Sequence, residues 1–162
     1  MWYFSTDDCL LRYGDGRKIE AGKTLSVEGE PVLCQHGLHA CKSILDALGY
    51  APGSFIWQVK LSGKVLHGRD KVVATKRKAI WGYDAKEVLR AFARKIALEV
   101  IEKHWDTDKN GIFPEISLQY LKTGDENLRK AAWAAAWAAD SATASAAARA
   151  AAWAAAWAAD SA

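Results

Sequence analysis

The twelve residues Ala-Ala-Trp-Ala-Ala-Ala-Trp-Ala-Ala-Asp-Ser-Ala occupy 131–142 and recur unchanged at 151–162. Alanine has the highest helix propensity and buries little surface, so such a tract forms helix but supplies little core of its own. Trp133 and Trp137 share one helix face, as do Trp153 and Trp157, by their i,i+4 spacing. Twenty residues separate the copies, which turns a straight helix by roughly 200° and points the two pairs to nearly opposite sides. One long helix would then expose at least one pair and require a partner for it. The alternative is a break near Asp140-Ser141, with two short helices packed through their alanines and all four Trp covered. Propensity favours continuity, while the Asp-Ser-Ala-Thr stretch at 140–143 is the natural place to break. Asp140, Arg149 and Asp160 interrupt the tract, so it does not read as a membrane span.

Upstream the pattern is different. Residues 1–83 read as short strands and turns, and at Asp84 the period becomes helical. The expected fold class is α+β. A small antiparallel β-rich N-terminal module with one short helix (1–83) precedes an all-helical half (84–162), which ends in an Ala-rich helix or helix pair. Trp2–Phe4 and Cys9–Tyr13 are short apolar runs. Lys23–Val27 and Pro31–Cys34 flank Glu28-Gly29-Glu30, which predicts a hairpin. Ser43–Tyr50 predicts a short helix capped by Ser43, with Asp46 at its third position. Phe55, Trp57, Val59 and Leu61 alternate as one face of a strand, Ser62-Gly63 turns, and 64–66 and 71–75 continue the sheet. Asp84 with Glu87 predicts a capped helix carrying Val88, Leu89, Phe92, Ile96, Val100 and Ile101 on one face. Residues 106–111 read as a loop, and Pro114 to Gly124 as a second helix.

Of the chain, 51% is hydrophobic, but much of that is the alanine tract, so the usable core is smaller than the figure suggests. Net charge is +3, too mild to imply nucleic acid as a partner. Three cysteines, Cys9, Cys34 and Cys41, form no disulfide pattern and fit a reducing cytosol. The opening residues lack a basic stretch and an apolar run, so a secretory leader is not expected.

The run Leu33-Cys34-Gln35-His36-Gly37-Leu38-His39-Ala40-Cys41 resembles an uncharacterised domain of phage and prophage proteins. The hallmark of that domain is Cys-x-x-Gly-[Phe/Leu/Val]-His-Ala-Cys. The helix at 45–50, the strand Trp57–Gly63 and the closing Asp70–Ala74 follow in the same order, so the likeness covers roughly residues 2–80. Residues 95–162 are similar to Ala-rich helical tails and to immunity-protein repeat regions. The resemblance implies a mobile-element setting in a bacterial cytosol and no known activity.

Several constellations can be weighed on their chemistry. Cys34, His36, His39 and Cys41 place four zinc-type ligands within eight residues. On one strand, however, they divide between two faces. A buried cysteine pair and a hydrogen-bonded histidine is the plainer reading. Gly37 through Tyr50 also resembles the middle of ADP-ribosyltransferase folds, where His39, Ser43 and Tyr50 would line a nicotinamide pocket. No later Glu stands out to orient a ribose. Asp106-x-Asp108-x-Asn110-Gly111 copies half of a calcium loop, but Ser117 stands where the bidentate Glu belongs. Lys64, His67, Arg69, Lys71, Lys76, Arg77 and Lys78 form a basic strip that reads as a solvated sheet face.

No catalytic constellation emerges, and no cofactor is expected. The leading expectation is a non-enzymatic phage or prophage accessory protein, of the counter-defence or immunity kind. It would bind another protein, or itself, through Trp133, Trp137, Trp153 and Trp157. The alternative is an ADP-ribosyltransferase-like or nucleotide-binding module centred on His39, Ser43 and Tyr50. Convergence of His39 and Tyr50 on a pocket would favour that alternative.

Overall fold

The computed structural model describes residues 1–142 and 150–156. The fold is α+β, and the chain divides into two compact units, Met1–Ala85 and Lys86–Ala162.

In the first unit, β1 (Trp2–Ser5), β2 (Thr24–Ser26) and β3 (Leu38–Cys41) are short. Helix α1 (Ile44–Leu48) follows, capped as the sequence predicts: the Ser43 hydroxyl accepts from the backbone N–H groups of Leu45 and Asp46. β4 (Phe55–His67) and β5 (Lys71–Asp84) then form a long antiparallel hairpin on which the other strands assemble. β1 lies antiparallel to β4, from Trp2↔Gln58 to Ser5↔Phe55. β3 pairs with β5 from Leu38↔Ala74 to Cys41↔Lys71. One register pair, Trp2↔Cys41, joins β1 to β3. The order β1–β4–β5–β3–β1 is therefore a closed ring, and its loosest seam lies between β1 and β3. Leu38, Ala40, Trp57, Val59 and Ala79 pack inside the unit with Leu11 and Ile19 from the first connection. The indole N–H of Trp57 donates to Ser5 Oγ at 3.0 Å, which satisfies both buried polar groups.

Three sequence expectations change here. The hairpin about Glu28-Gly29-Glu30 does not form, because β2 takes β5 as its partner, with Thr24↔Lys78 through Ser26↔Lys76. Ser62-Gly63 is not a turn but part of an irregularity in a continuous β4, whose register with β5 shifts between Ser62 and Val65. Asp84 is still strand, paired with Phe55, and it accepts a hydrogen bond from Ser54 Oγ at 3.0 Å. Helix α2 (Lys86–His104) starts after it.

In the second unit, α2 is followed by a helical turn, α3 (Thr107–Asn110), where a loop was expected. The Asp106 carboxylate accepts the Asp108 N–H at 3.1 Å and so starts that turn. Helix α4 (Glu115–Thr123) opens after Pro114 and closes on Gly124, whose φ of 71° gives the left-handed C-cap expected from the sequence. Helix α5 (Arg129–Ala142) runs through Asp140 and Ser141 without breaking there. Residues 150–156 are helical as well. Tyr120 is fully enclosed with Ala97, Ile101, Phe113, Leu121, Ala132 and Ala136, together with Ala151, Ala152, Ala155 and Ala156. Ser117 Oγ donates to the Ala132 carbonyl at 2.8 Å and ties α4 to α5.

That core is mostly alanine, which lets backbones approach closely, around a few larger side chains, and it leaves part of the tryptophan surface outside. Trp133, Trp137 and Trp153 are 38%, 47% and 59% exposed, so the arrangement with every Trp covered is overturned for these three. Trp157 lies outside the described residues, as does any break within 143–149. The apolar stripe expected on α2 also divides. Ile101 is buried with Ala97, while Val88, Phe92 and Ile96 stay exposed. Among the described residues no helix is long and apolar enough to cross a membrane.

Candidate functional site: a cavity at the β1–β3 seam

A cavity of about 370 Å³ opens in the first unit along the poorly paired seam. Trp2, Tyr3 and Phe4 of β1 line one wall, and Leu38 to Cys41 of β3 line the other. Leu11, Arg12 and Tyr13 contribute from the first connection, and Tyr50 from beyond α1.

Arg77 holds this seam. It lies on β5, two residues before buried Ala79 and four after buried Val73, so the period of two turns it inward. Its Nη1 donates to the His39 carbonyl on β3 at 2.7 Å. Its guanidinium lies over the Tyr3 ring on β1, 3.7 Å from the ring centre. The side chain is 3% exposed, and Nη2 is buried with no hydrogen-bond partner. An unmatched buried donor costs about 1–3 kcal/mol, more when it carries charge. Burial pushes the Arg77 pKa down, with Tyr3 acting in the opposite direction. The sequence reading that put Arg77 on a solvated basic strip is therefore corrected. Lys76 and Lys78 on either side of it are exposed as expected.

His39 and Tyr50 both line the cavity. The His39 Nε2 accepts the Cys34 N–H at 3.1 Å, so this nitrogen carries no proton. Burial lowers the His39 pKa and keeps the ring neutral; a hydrogen bond with the Gly37 backbone opposes the shift. Lys71 and Arg77 lower the pKa further through their charges. The imidazole thus pins the loop that carries Cys34. Two non-glycine residues of the lining, Cys34 and Tyr13, have left-handed φ values of 64° and 62°. Such conformations cost about 1–2 kcal/mol each and need support from their surroundings. Gly37 sits at φ 117°, and a Cβ there would come within 2.5 Å of a Val73 methyl, so the turn into β3 requires glycine.

At the rim, Lys71 Nζ lies 4.1 Å from the centre of the Tyr50 ring. Tyr50 first and Cys34 second raise the Lys71 pKa above its ordinary value, so the ammonium stays charged. The Tyr50 hydroxyl donates to the Asp70 carboxylate, which holds Asp70 below the usual carboxylate range. Ser43 caps α1 and is not part of the lining. Asp15 is the acidic residue of the wall, and it is clamped by Arg17 through two bonds of 2.7 Å. That bond to Arg17 lowers the Asp15 pKa. Arg12, Lys71 and Arg77 leave the lining net positive.

The candidate metal ligands named from the sequence have other partners here. His36 Nε2 is committed to the Glu28 carbonyl at 2.6 Å, and His39 Nε2 to Cys34 N–H. Cys34 is exposed, while Cys41 is buried and its thiol pKa is pushed up by that burial. Asp106 and Asn110 serve the α3 turn, Asn110 Nδ2 donating to the Asp106 carbonyl at 2.9 Å. Among the described residues, no three His, Cys, Asp or Glu side chains gather as a metal site.

Sequence reasoning named His39 and Tyr50 but missed Arg77 as an interior residue, and missed β1 as a wall. The alternation of Arg77 with Val73 and Ala79 was the available signal for the first. The second depends on a pairing of Trp2 with residue 58, which no local pattern reveals.

Together these features define a class: a small closed β-ring module with a cationic, aromatic-lined cavity of ligand size. A family profile described as a domain of unknown function, DUF7666, matches residues 11–91, half of the chain, and the chain belongs to that family. No curated protein and no solved structure matches it. The matched span contains β2, β3, β4 and β5, and with them Arg77, His39, Tyr50 and Lys71; the Trp-bearing helix α5 lies beyond it.

Proposed function

We propose that the protein works by binding, and that its β-rich module holds a small ligand of the nucleotide class in the cavity around His39 and Tyr50. The observation that carries this reading is convergence: both side chains meet Arg77 and Lys71 on one cavity of about 370 Å³. That volume is within the range of ~300–1,000 Å³ usual for ligand sites. Catalysis of the ADP-ribosyltransferase kind receives no support from the lining, since Asp15 is committed to Arg17. The test is amide and indole chemical-shift mapping of the full chain with a panel of nucleotides. Shifts should cluster at Trp2, His39 and Tyr50. Shifts scattered over the surface, or none, would sink the reading.

A second reading is favoured by a separate observation. Trp133 and Trp137 stack on each other, 5.9 Å between ring centres and 11° from parallel, yet both remain exposed. Tryptophan is enriched at interface hot spots. In this reading the helical unit docks a protein partner or a second copy. The likeness to phage and immunity proteins gives it a counter-defence or immunity role in a bacterial cytosol. A pull-down with the full chain and with Trp133→Ala/Trp137→Ala decides it: the partner should be lost with the double variant, and equal capture by both forms ends the idea.

A further inference from the structure

We infer that the cavity ligand is a planar aromatic ring bearing one anionic group, the size of a nucleoside monophosphate, with the anion paired to Arg77 Nη2. This deepens the cavity reading and rests on it. Three independent observations lead to that chemistry.

The first is the unmatched donor. Arg77 already spends Nη1 on the His39 carbonyl and its face on Tyr3, and Nη2 remains buried without an acceptor. Buried donors are nearly always satisfied, so a native exception asks for an explanation. A phosphate or carboxylate oxygen supplies what is missing, and guanidinium–oxyanion bonds are among the strongest polar contacts available to a side chain. Reaching Nη2 requires the β1–β3 seam to part a little beside the single register pair Trp2↔Cys41, without breaking the Arg77 contacts to His39 and Tyr3.

The second is charge. Arg12, Lys71 and Arg77 face the cavity, and Asp15 is neutralised by Arg17. His39 is neutral, with its Nε2 accepting Cys34 N–H, so the positive charge comes from Arg12, Lys71 and Arg77. The field inside therefore favours an anion over a neutral or cationic molecule.

The third is shape and size. Trp2, Tyr3, Phe4 and Tyr50 present aromatic surfaces to the space, which suits a flat ring. The volume is near the lower end of the ligand-site range. A single base, sugar and phosphate fill such a space, while the second half of a dinucleotide would remain outside it and add little.

Calorimetry on the full chain tests this with adenosine monophosphate, adenosine, inorganic phosphate and nicotinamide adenine dinucleotide. The monophosphate should bind at least ~10-fold tighter than adenosine, the difference expected when a charge-assisted bond is gained. Inorganic phosphate should bind weakly, and the dinucleotide no tighter than the monophosphate. Arg77→Gln, checked for folding by circular dichroism, should bring monophosphate and nucleoside to equal affinity. If that variant does not fold, the wild-type comparison still decides. Equal binding of adenosine and its monophosphate by the wild type overturns the anion anchor while leaving the cavity reading in place. Tighter binding of the dinucleotide overturns the size argument. No binding of any of these, with no shift at Trp2 or His39, overturns both the inference and the reading beneath it.

Discussion

Trp57 of the β-rich unit is buried, and its indole N–H is bonded to Ser5. Trp133 and Trp137 of the helical unit are partly exposed and stacked on each other. Trp57 and the Trp133–Trp137 pair play opposite parts, and the interiors beside them are built differently. A sheet curved into a ring leaves side-chain-sized space inside it, and Trp57, Val59 and Leu38 fill that space. Helices whose shared core is mostly alanine, Ala132, Ala136, Ala151 and Ala155 among them, enclose fewer large side chains. Their stability comes from close backbone approach and helix propensity, with Tyr120 as the one large, fully enclosed side chain among the described residues. Trp57 serves the interior of the first unit, while Trp133 and Trp137 in the second keep part of their surface for another contact.

Substitutions can break this contrast, and the largest effect belongs to Trp57→Ala. It empties part of the interior of the ring and removes the donor to Ser5 Oγ, so we expect a loss of about 3–5 kcal/mol in urea unfolding. A loss under 1 kcal/mol would mean that the ring does not depend on this residue. Next comes Ala136→Leu, which forces a larger side chain into the close-packed helical interface and should cost about 1–3 kcal/mol. A neutral result there would show that the alanine contact is loose.

A smaller effect is expected from pH. The folded His39 has its pKa lowered by burial, while the unfolded chain titrates near the ordinary value of about 6.5. Below that value the unfolded chain binds more protons, so stability is level above it and falls as pH drops through it. Protonation also removes the acceptor for Cys34 N–H. Urea midpoints at pH 7.5 and 5.5 should separate less in His39→Gln than in the wild type; parallel losses would assign the effect to other groups. The smallest change is Trp137→Ala, expected within about 0.5 kcal/mol because the side chain is half exposed. A large loss there would erase the contrast between the units.

What the sequence made legible was local. Ser43 capped its helix, Gly124 closed α4, and the alternation from Phe55 to Leu61 became strand, because each signal acts over a few residues. What it hid was pairing between distant segments. Nothing near Thr24 says that its partner is Lys78 and not residues 31–34. Nothing near Gly63 separates a turn from an irregular strand until β5 is known to run alongside. Arg77 shows the same limit at the candidate site. Flanked by Lys76 and Lys78 it reads as surface, and its inward position follows only once the strand register is set. His39 and Tyr50 were legible as candidates through their spacing, but the seam that brings them to one cavity was not.

The pairing of Trp2 with Gln58 also sets an order in time. During synthesis β1 leaves the ribosome well before β4 exists, a delay of about 3–11 s at roughly 5–20 residues per second. Trp2, Tyr3 and Phe4 spend that interval without their strand partners, an apolar stretch open to chaperones or to misplaced contacts. The β4–β5 hairpin, by contrast, closes locally as soon as both arms are out. The wall of the cavity that β1 supplies is therefore set only after its partner strand β4 has been made.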